Sequence, residues 1–348
     1  MPPDPIDVAR FTATLHHAIR GFFVERGLLE VFTPSLVANP GMEPTLDAFS
    51  VDASAGGFAG RRWLHTSPEL AIKATLAALG TNVFTLARCY RDDPPSRWHH
   101  PEFTMLEWYR IGGSTDDLIA DCEALLRHCA AAFDLPLDAV HPTVGAPQDL
   151  TGPFERVDLA QAMRAAVGID PHEAGDALTA RAINAGLDVD PSWDRDTTFS
   201  VLWATRVEPG LGAPRPAILD GFAARDAALA RRRPDAPHLA DRFELYVAAD
   251  AAPHGEGLTG IELANAFGEL VDPVEQRARF EADRETRRVR GRDVYPMPDA
   301  MLDGLDALGP TAGIALGVER LGLWLAEWRY GWTLSVSDLL LGEPRRTA

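Results

Sequence analysis

Apolar residues recur at near-helical spacing at the start of the chain. Ala9, Phe11, Leu15, Ile19, Phe22 and Phe23 fall within residues 6–26, and Gly27 follows as a stop. This spacing predicts an amphipathic helix, after which residues 29–33 read as a strand ended by Pro34. A second helix is expected to begin at Ser67-Pro68-Glu69, with Ser67 as cap and Pro68 in the first turn. A third is expected over residues 115–133. Residues 135–239, rich in Ala, Pro and Asp, read as a helical insertion with one strand near 217–219. Strand character returns at 243–247 and 261–267, on either side of a glycine-rich loop, and residues 273–290 predict a charged helix. A last unit joins a strand at 313–317 to an apolar helix at 321–328.

The densest chemistry lies between Arg88 and Arg110. Val83, Phe84, Leu86 and Ala87 lead into Tyr90-Arg91-Asp92-Asp93. After a polar loop with Pro94, Pro95 and Ser96, Phe103, Met105 and Leu106 lead to Glu107-Trp108-Tyr109. This is the pattern of a strand, a loop and a returning strand. Alternation puts Phe103, Met105, Glu107 and Tyr109 on one face and Thr104, Leu106 and Trp108 on the other. A carboxylate and a phenol among apolar neighbours predict a bound cation, because a buried unpaired carboxylate is costly. Any single Arg or Glu here is also explained by surface ion pairs; Arg91, Asp93, Arg97, His99, His100, Glu102, Glu107 and Tyr109 together are not.

Composition narrows the class. With 348 residues and 46% hydrophobic content, the chain can bury a substantial core, and the absence of repeats and long linkers favours one domain. No apolar run reaches the roughly eighteen residues of a membrane span, and Met1-Pro2-Pro3-Asp4-Pro5 lacks the features of a signal peptide, so a cytoplasmic location is expected. Cys89, Cys122 and Cys129 have neither metal-ligand spacing nor an even count, and read as buried thiols. A formal charge of −18 argues against a broad nucleic-acid-binding surface. The locally basic stretch from Arg277 to Arg292 is interrupted by acids and reads as a solvated helix.

Two further groups carry chemistry. Glu244 and Glu262 lie on opposite sides of the glycine-rich loop, with Asn265 and Glu269 following Glu262. Carboxylates facing one another across a hairpin repel unless a cation sits between them, and hard oxygen donors suit Mg²⁺ shared with phosphates. Solvent-facing strand glutamates would give the same spacing. Gly313-Ile314-Ala315-Leu316-Gly317-Val318-Glu319-Arg320 combines small residues, which allow close approach to backbone, with an Arg at a helix start, where an anionic partner is expected.

Taken together, these segments resemble the catalytic core of class II aminoacyl-tRNA synthetases, specifically the lysyl branch. The first helix and strand resemble motif 1. Tyr90-Arg91-Asp92-Asp93 through Pro101-Glu102-Phe103-Thr104-Met105-Leu106-Glu107 resembles motif 2, and Gly317-Val318-Glu319-Arg320 resembles motif 3. Ser67-Pro68-Glu69 and Glu262-Leu263-Ala264-Asn265-Ala266-Phe267-Gly268-Glu269 match two lysyl-type signatures. The resemblance implies an α+β fold, a mainly antiparallel sheet flanked by helices, and a dimer formed through motif 1. Motif 1 begins almost at the first residue, so no N-terminal anticodon-binding OB domain and no tRNA are expected. In this respect, and in Glu107-Trp108-Tyr109-Arg110, the chain is similar to the group of ligases that load (R)-β-lysine onto elongation factor P.

That resemblance implies ATP and Mg²⁺ as cosubstrate and metal, an amino acid as substrate, and elongation factor P as acceptor. Arg91 and Arg320 would act on phosphates. Asp92, Asp93, His100, Glu262, Leu263 and Gly317 would line the ATP site, with Mg²⁺ on Glu244 and Glu262. Ser67, Pro68, Glu69, Glu107, Tyr109, Asn265, Glu269 and Ala315 would bind the amino acid. Departures from the family are Asp93 for the usual Glu, His100 for Asn, Ala315 for Gly and Gly268 for the ligases' His. Activation of another amino acid for a different carrier, and a degenerate synthetase acting as a binding module, remain alternative readings. His99 and His100 are candidate bases for the transfer step.

Overall fold

The computed structural model describes residues 3–54, 59–251 and 257–340. Along the chain the elements are α1 (Pro5–Glu25), β1 (Leu29–Glu30), β2 (Leu36–Val37), β3 (Ser50–Ala53), β4 (Gly60–Leu64), α2 (Glu69–Leu79), β5 (Val83–Tyr90), β6 (Glu102–Ile111) and α3 (Thr115–Ala132). Next come β7 (Asp138–Val140), β8 (Pro147–Asp149), β9 (Glu155–Asp158), α4 (Leu159–Val167), α5 (Pro171–Ala174), α6 (Leu178–Asn184), α7 (Arg195–Leu202) and β10 (Ala217–Asp220). The rest is β11 (Arg242–Asp250), β12 (Leu258–Gly268), α8 (Pro273–Val289), α9 (Asp299–Leu302), β13 (Thr311–Gly317), α10 (Val318–Tyr330) and α11 (Val336–Leu339).

Eight strands form one sheet in the order β1-β5-β6-β13-β12-β11-β10-β9. Its pairings are antiparallel except at the two ends, where β1 runs parallel to β5 and β9 parallel to β10. The expected α+β class and mainly antiparallel sheet are therefore present. Helices α1, α3 and α10 cover one face, where Phe22, Phe23, Phe84, Leu106, Trp108 and Trp324 form a continuous apolar core. The other face carries the polar residues of the site. Asp4 caps α1 by accepting from Ile6 N at 3.0 Å, and Val8, Phe11, Leu15, Ile19, Phe22 and Phe23 are buried along one helix stripe.

Two sequence expectations change. The strand over residues 29–33 shortens to Leu29–Glu30, although Val31 N still donates to Phe84 O at 2.8 Å. Pro34 offers no donor, and the strand lies at the sheet edge, so little backbone pairing is available to prolong it. Residues 135–239 are less helical than expected: besides the expected strand, which is β10, they contain β7, β8 and β9, and β9 and β10 extend the main sheet beyond β11. The three further strands are only three or four residues long, too short for an alternation signal. Their helices build a second core in which Leu159, Met163, Leu178 and Trp203 pack with Tyr246 of β11. All three cysteines are buried thiols. No helix among the described residues is long and apolar enough to cross a membrane.

Candidate active site

The β5–β6 hairpin pairs from Val83 opposite Tyr109 to Tyr90 opposite Glu102. This register gives the alternation read from the sequence: Leu106 and Trp108 enter the core, while Phe103 and Met105 line a cavity of about 590 Å³. That volume suits a nucleotide and a small molecule together. Arg91, Asp93 and His100 from the hairpin and Ser67 and Glu69 from the start of α2 reach its wall. So do Glu244, Glu262, Leu263 and Asn265 from β11–β12, and Ala315, Gly317 and Arg320 from β13–α10. Glu107, Tyr109 and Glu269 lie behind this wall, each at most 2% exposed. Two further expected residues are not on the wall either. Pro68 is the N-cap of α2, and Asp92 donates through its backbone N–H to Asp47 O at 2.9 Å.

One part of the cavity is cationic. Arg91 donates from Nε to Thr66 O at 3.3 Å, with its guanidinium 5.1 Å from the centre of the Phe103 ring. Arg320 donates to Glu262 O at 2.7 Å and to His99 Nε2 at 2.6 Å. Burial and the Arg320 charge lower His99 to about 4, so its ring is neutral at physiological pH. Its Nδ1 lies 2.8 Å from Ser96 Oγ. The lone pair on Nε2 is thus committed to Arg320, which counts against His99 as a base. His100 Nδ1 lies 2.7 Å from Glu102 O. Arg97 has a structural role: it contacts Glu327 at 2.5 Å and donates to Leu334 O and Asp250 O, tying the hairpin loop to α10.

Beside Arg320 stand the two glutamates of the β11–β12 hairpin. They do not face each other directly, since Glu244 is opposite Asn265 and Tyr246 opposite Glu262. Leu263 is the extra residue of a β-bulge, and this shift lets Glu262 and Asn265, three apart in sequence, share the cavity face. Glu244 accepts from Arg242 at 2.6 Å and from the Tyr246 hydroxyl at 2.9 Å. Burial, then Glu244, raises Glu262 to about 7, with Arg320 opposing. Two repelling hard-oxygen donors fit a divalent cation that takes its other ligands from phosphates. Among the described residues no group of three or more His, Cys, Asp or Glu side chains is placed to hold a metal by itself.

The third part is acidic and deeper. Ser67 Oγ donates to Glu107 at 2.7 Å, and Tyr109 donates to the other oxygen of Glu107 at 3.0 Å. Burial, then Glu69, raises Glu107 to about 8. Lys73 Nζ lies 2.6 Å from both Glu69 and Glu269. Burial opposes its charge, but Glu269 and Glu69 outweigh this and push the ammonium above its ordinary value. Gly313 is required here: a Cβ would collide with the Tyr109 ring and Glu269 Oε1. Ala315 pairs with Glu107 on one side and Asn265 on the other, which puts its methyl between the acidic part and the strand carrying Asn265. Gly268 has a steric reason too, since a side chain there would strike Asp241, which is held by Arg231 at 2.8 Å.

Several residues escaped sequence reasoning. Lys73 stands four positions after Glu69, the spacing of a helical ion pair, and that offset was its only signal. Glu43 and Asp283 also line the cavity. They come from a loop and from α8, far apart in sequence, so no spacing links them. Burial and then Glu43 raise Asp283 to about 6.

The sheet, the paired arginines and the acidic recess define an adenylate-forming core of the synthetase type. A family model described as tRNA synthetases class II (D, K and N) matches residues 6–329, and the chain belongs to that family. Among its curated relatives is the elongation factor P–(R)-beta-lysine ligase of Vibrio cholerae serotype O1, 36% identical over 330 residues, spanning 92% of each chain. The protein of the same name from Mannheimia succiniciproducens is 36% identical over 324 residues, covering 92% of this chain and 91% of its own. That from Klebsiella pneumoniae strain 342 is 35% identical over 329 residues.

Proposed function

We propose that this protein uses ATP to activate (R)-β-lysine, or lysine, as an aminoacyl-adenylate and transfers the aminoacyl group to a lysine side chain of elongation factor P. The observation that carries this reading is one cavity in which Arg91 and Arg320 share a wall with Ser67 and Glu69, with Glu107 directly behind. Such a chamber offers cations to phosphates and a carboxylate, and acids to ammonium groups.

In the first step a substrate carboxylate oxygen attacks the α-phosphorus of ATP, and the bond to pyrophosphate breaks. Arg91 would neutralise the α-phosphate and the attacking carboxylate, and Arg320 the γ-phosphate; fixed positive charge at these points lowers the barrier. Asp93, His100, Leu263 and Gly317 would bound the nucleotide, with Asp92 supporting the loop. Glu262 and Glu244 would hold Mg²⁺, which supplies charge neutralisation to the phosphates when bound. Glu69, Glu107 and Glu269, with the Tyr109 and Ser67 hydroxyls, would receive the amino groups. Asn265 and Ala315 would shape the end nearer the carboxylate, and Pro68 would hold Ser67 and Glu69 in place. In the second step a neutral ε-amine attacks the adenylate carbonyl and AMP leaves.

The protein would act in the cytoplasm as a single synthetase-like domain without tRNA, and as a homodimer through motif 1. Support for the dimer comes from Phe32, 83% exposed, and from Val24 and Leu29, all beside the edge strand β1. ATP–pyrophosphate exchange with L-lysine, (R)-β-lysine and a panel of other amino acids tests activation. Intact mass of elongation factor P tests transfer. Exchange with neither lysine would refute the reading; exchange without a mass increase would redirect it to another acceptor.

A further inference from the structure

Glu69, Glu107 and Glu269 crowd the acidic recess, yet only one lysine lies among them. Lys73 projects from α2 one turn beyond Glu69, is 2% exposed, and reaches both Glu69 and Glu269 at 2.6 Å. Among the described residues Glu107 receives hydroxyl donors only, from Ser67 and Tyr109, and Glu269 Oε1 has no hydrogen-bond partner; Gly313 closes the space beside it. Arg231, the other cation felt by Glu269, is already paired with Asp241 at 2.8 Å. On the cavity wall, burial and then Glu69 raise Glu43, with Arg91 opposing, and burial and then Glu43 raise Asp283, with Arg279 opposing. The recess joined by direct hydrogen bonds and ion pairs holds three carboxyl groups, Glu69, Glu107 and Glu269, and one internal ammonium. Buried charges persist only when balanced, so the two carboxyl groups that Lys73 does not cancel ionise fully only beside incoming cations.

We propose that Lys73 is a resident counter-ion that determines how many ammonium groups the recess accepts, cancelling one carboxylate of three so that a diamine is selected over a monoamine. The inference rests on the reading of Glu69, Glu107 and Glu269 as amino-group acceptors. It makes Lys73 a specificity-determining residue that acts through the glutamates it positions. The two amino groups of the substrate would complete the charge balance, and Lys73 would keep its own corner closed to a third.

Amine binding needs neither ATP nor adenylate formation, so the test separates this proposal from the activity. Calorimetric titration of the wild-type protein compares 1,4-diaminobutane and 1,5-diaminopentane with butylamine. At least tenfold tighter binding of a diamine is expected, and equal binding would overturn the proposal whatever the exchange assay shows. Lys73→Met leaves a third carboxylate without its counter-ion and opens that corner to a further ammonium; its preference for the diamine over butylamine should fall at least tenfold and return with millimolar methylammonium, which has no effect on the wild type. Because loss of Lys73 can itself unfold the chain, Lys73→Arg, which keeps the charge, is made alongside it and should fold and keep the wild-type preference for the diamine. A folded Lys73→Arg that binds butylamine as tightly as the diamine would refute the charge count. Exchange of the wild type with lysine or (R)-β-lysine, measured separately, decides the parent reading.

Discussion

Replacing Glu107 by Gln should stabilise the protein while damaging substrate recognition. Glu107 is 1% exposed and is raised from its ordinary 4.5 to about 8, first by burial and then by Glu69. A carboxyl raised on folding leaves stability intact at low pH, where folded and unfolded chains are both protonated. Above about pH 4.5 the unfolded chain ionises first, and stability falls by about 1.4 kcal/mol for each pH unit until the folded carboxyl ionises near 8. The penalty is roughly 3 kcal/mol at about pH 7 and reaches a plateau of roughly 5 kcal/mol above about pH 8. Gln is neutral throughout and still offers an acceptor to Ser67 or Tyr109. Thermal unfolding should show the variant matching wild type at about pH 4 and exceeding it by several degrees at about pH 8. In exchange assays its KM for the diamine amino acid should rise at least tenfold, because losing one partner of a buried charge pair costs about 2–5 kcal/mol. A stability difference that is the same at both pH values would refute the argument that burial and Glu69 strain this carboxyl.

Arg91→Ala should abolish ATP–pyrophosphate exchange with little change in melting temperature, since Arg91 makes one long hydrogen bond, to Thr66 O at 3.3 Å; normal exchange would remove its assigned role. Arg97→Ala should do the reverse in part: it leaves buried Glu327 with only the His141 ring, at 2.8 Å, and the Asp250 backbone N–H as partners among the described residues, costing roughly 3 kcal/mol by denaturant unfolding. Gly313→Ala should destabilise by at least about 2 kcal/mol and raise the amino-acid KM, because its methyl collides with Tyr109 and Glu269. Phe32→Glu should shift the protein toward monomer in sedimentation if the apolar surface beside β1 is the dimer interface.

Much of the site was legible because its residues are local in sequence. The hairpin face carrying Phe103, Met105, Glu107 and Tyr109 follows from strand alternation alone, and the observed register has that arrangement. The Glu244–Glu262 relation was legible only in outline, since the bulge at Leu263 removes direct opposition while keeping Glu262 and Asn265 on one face. No period-two reading contains such a bulge. Arg97 was wrongly grouped with the chemistry because its partners Glu327, Leu334 and Asp250 lie more than 150 residues away.

By itself the sequence determined the main helices, the strands of the central hairpins, the α+β class and the motifs that identify the family. Each of these is encoded in periodicity or in short contiguous signatures, which local backbone sterics and side-chain alternation translate directly into structure. The tertiary structure decided which charges balance which. Lys73, paired with Glu69 within α2, becomes the counter-ion of Glu269 as well only when the fold brings α2 beside the residue that follows β12, and His99 is lowered to about 4 only once it is buried beside Arg320. Electrostatic environment depends on burial and on distances between segments remote in the chain, and it exists only once the sheet has brought them together.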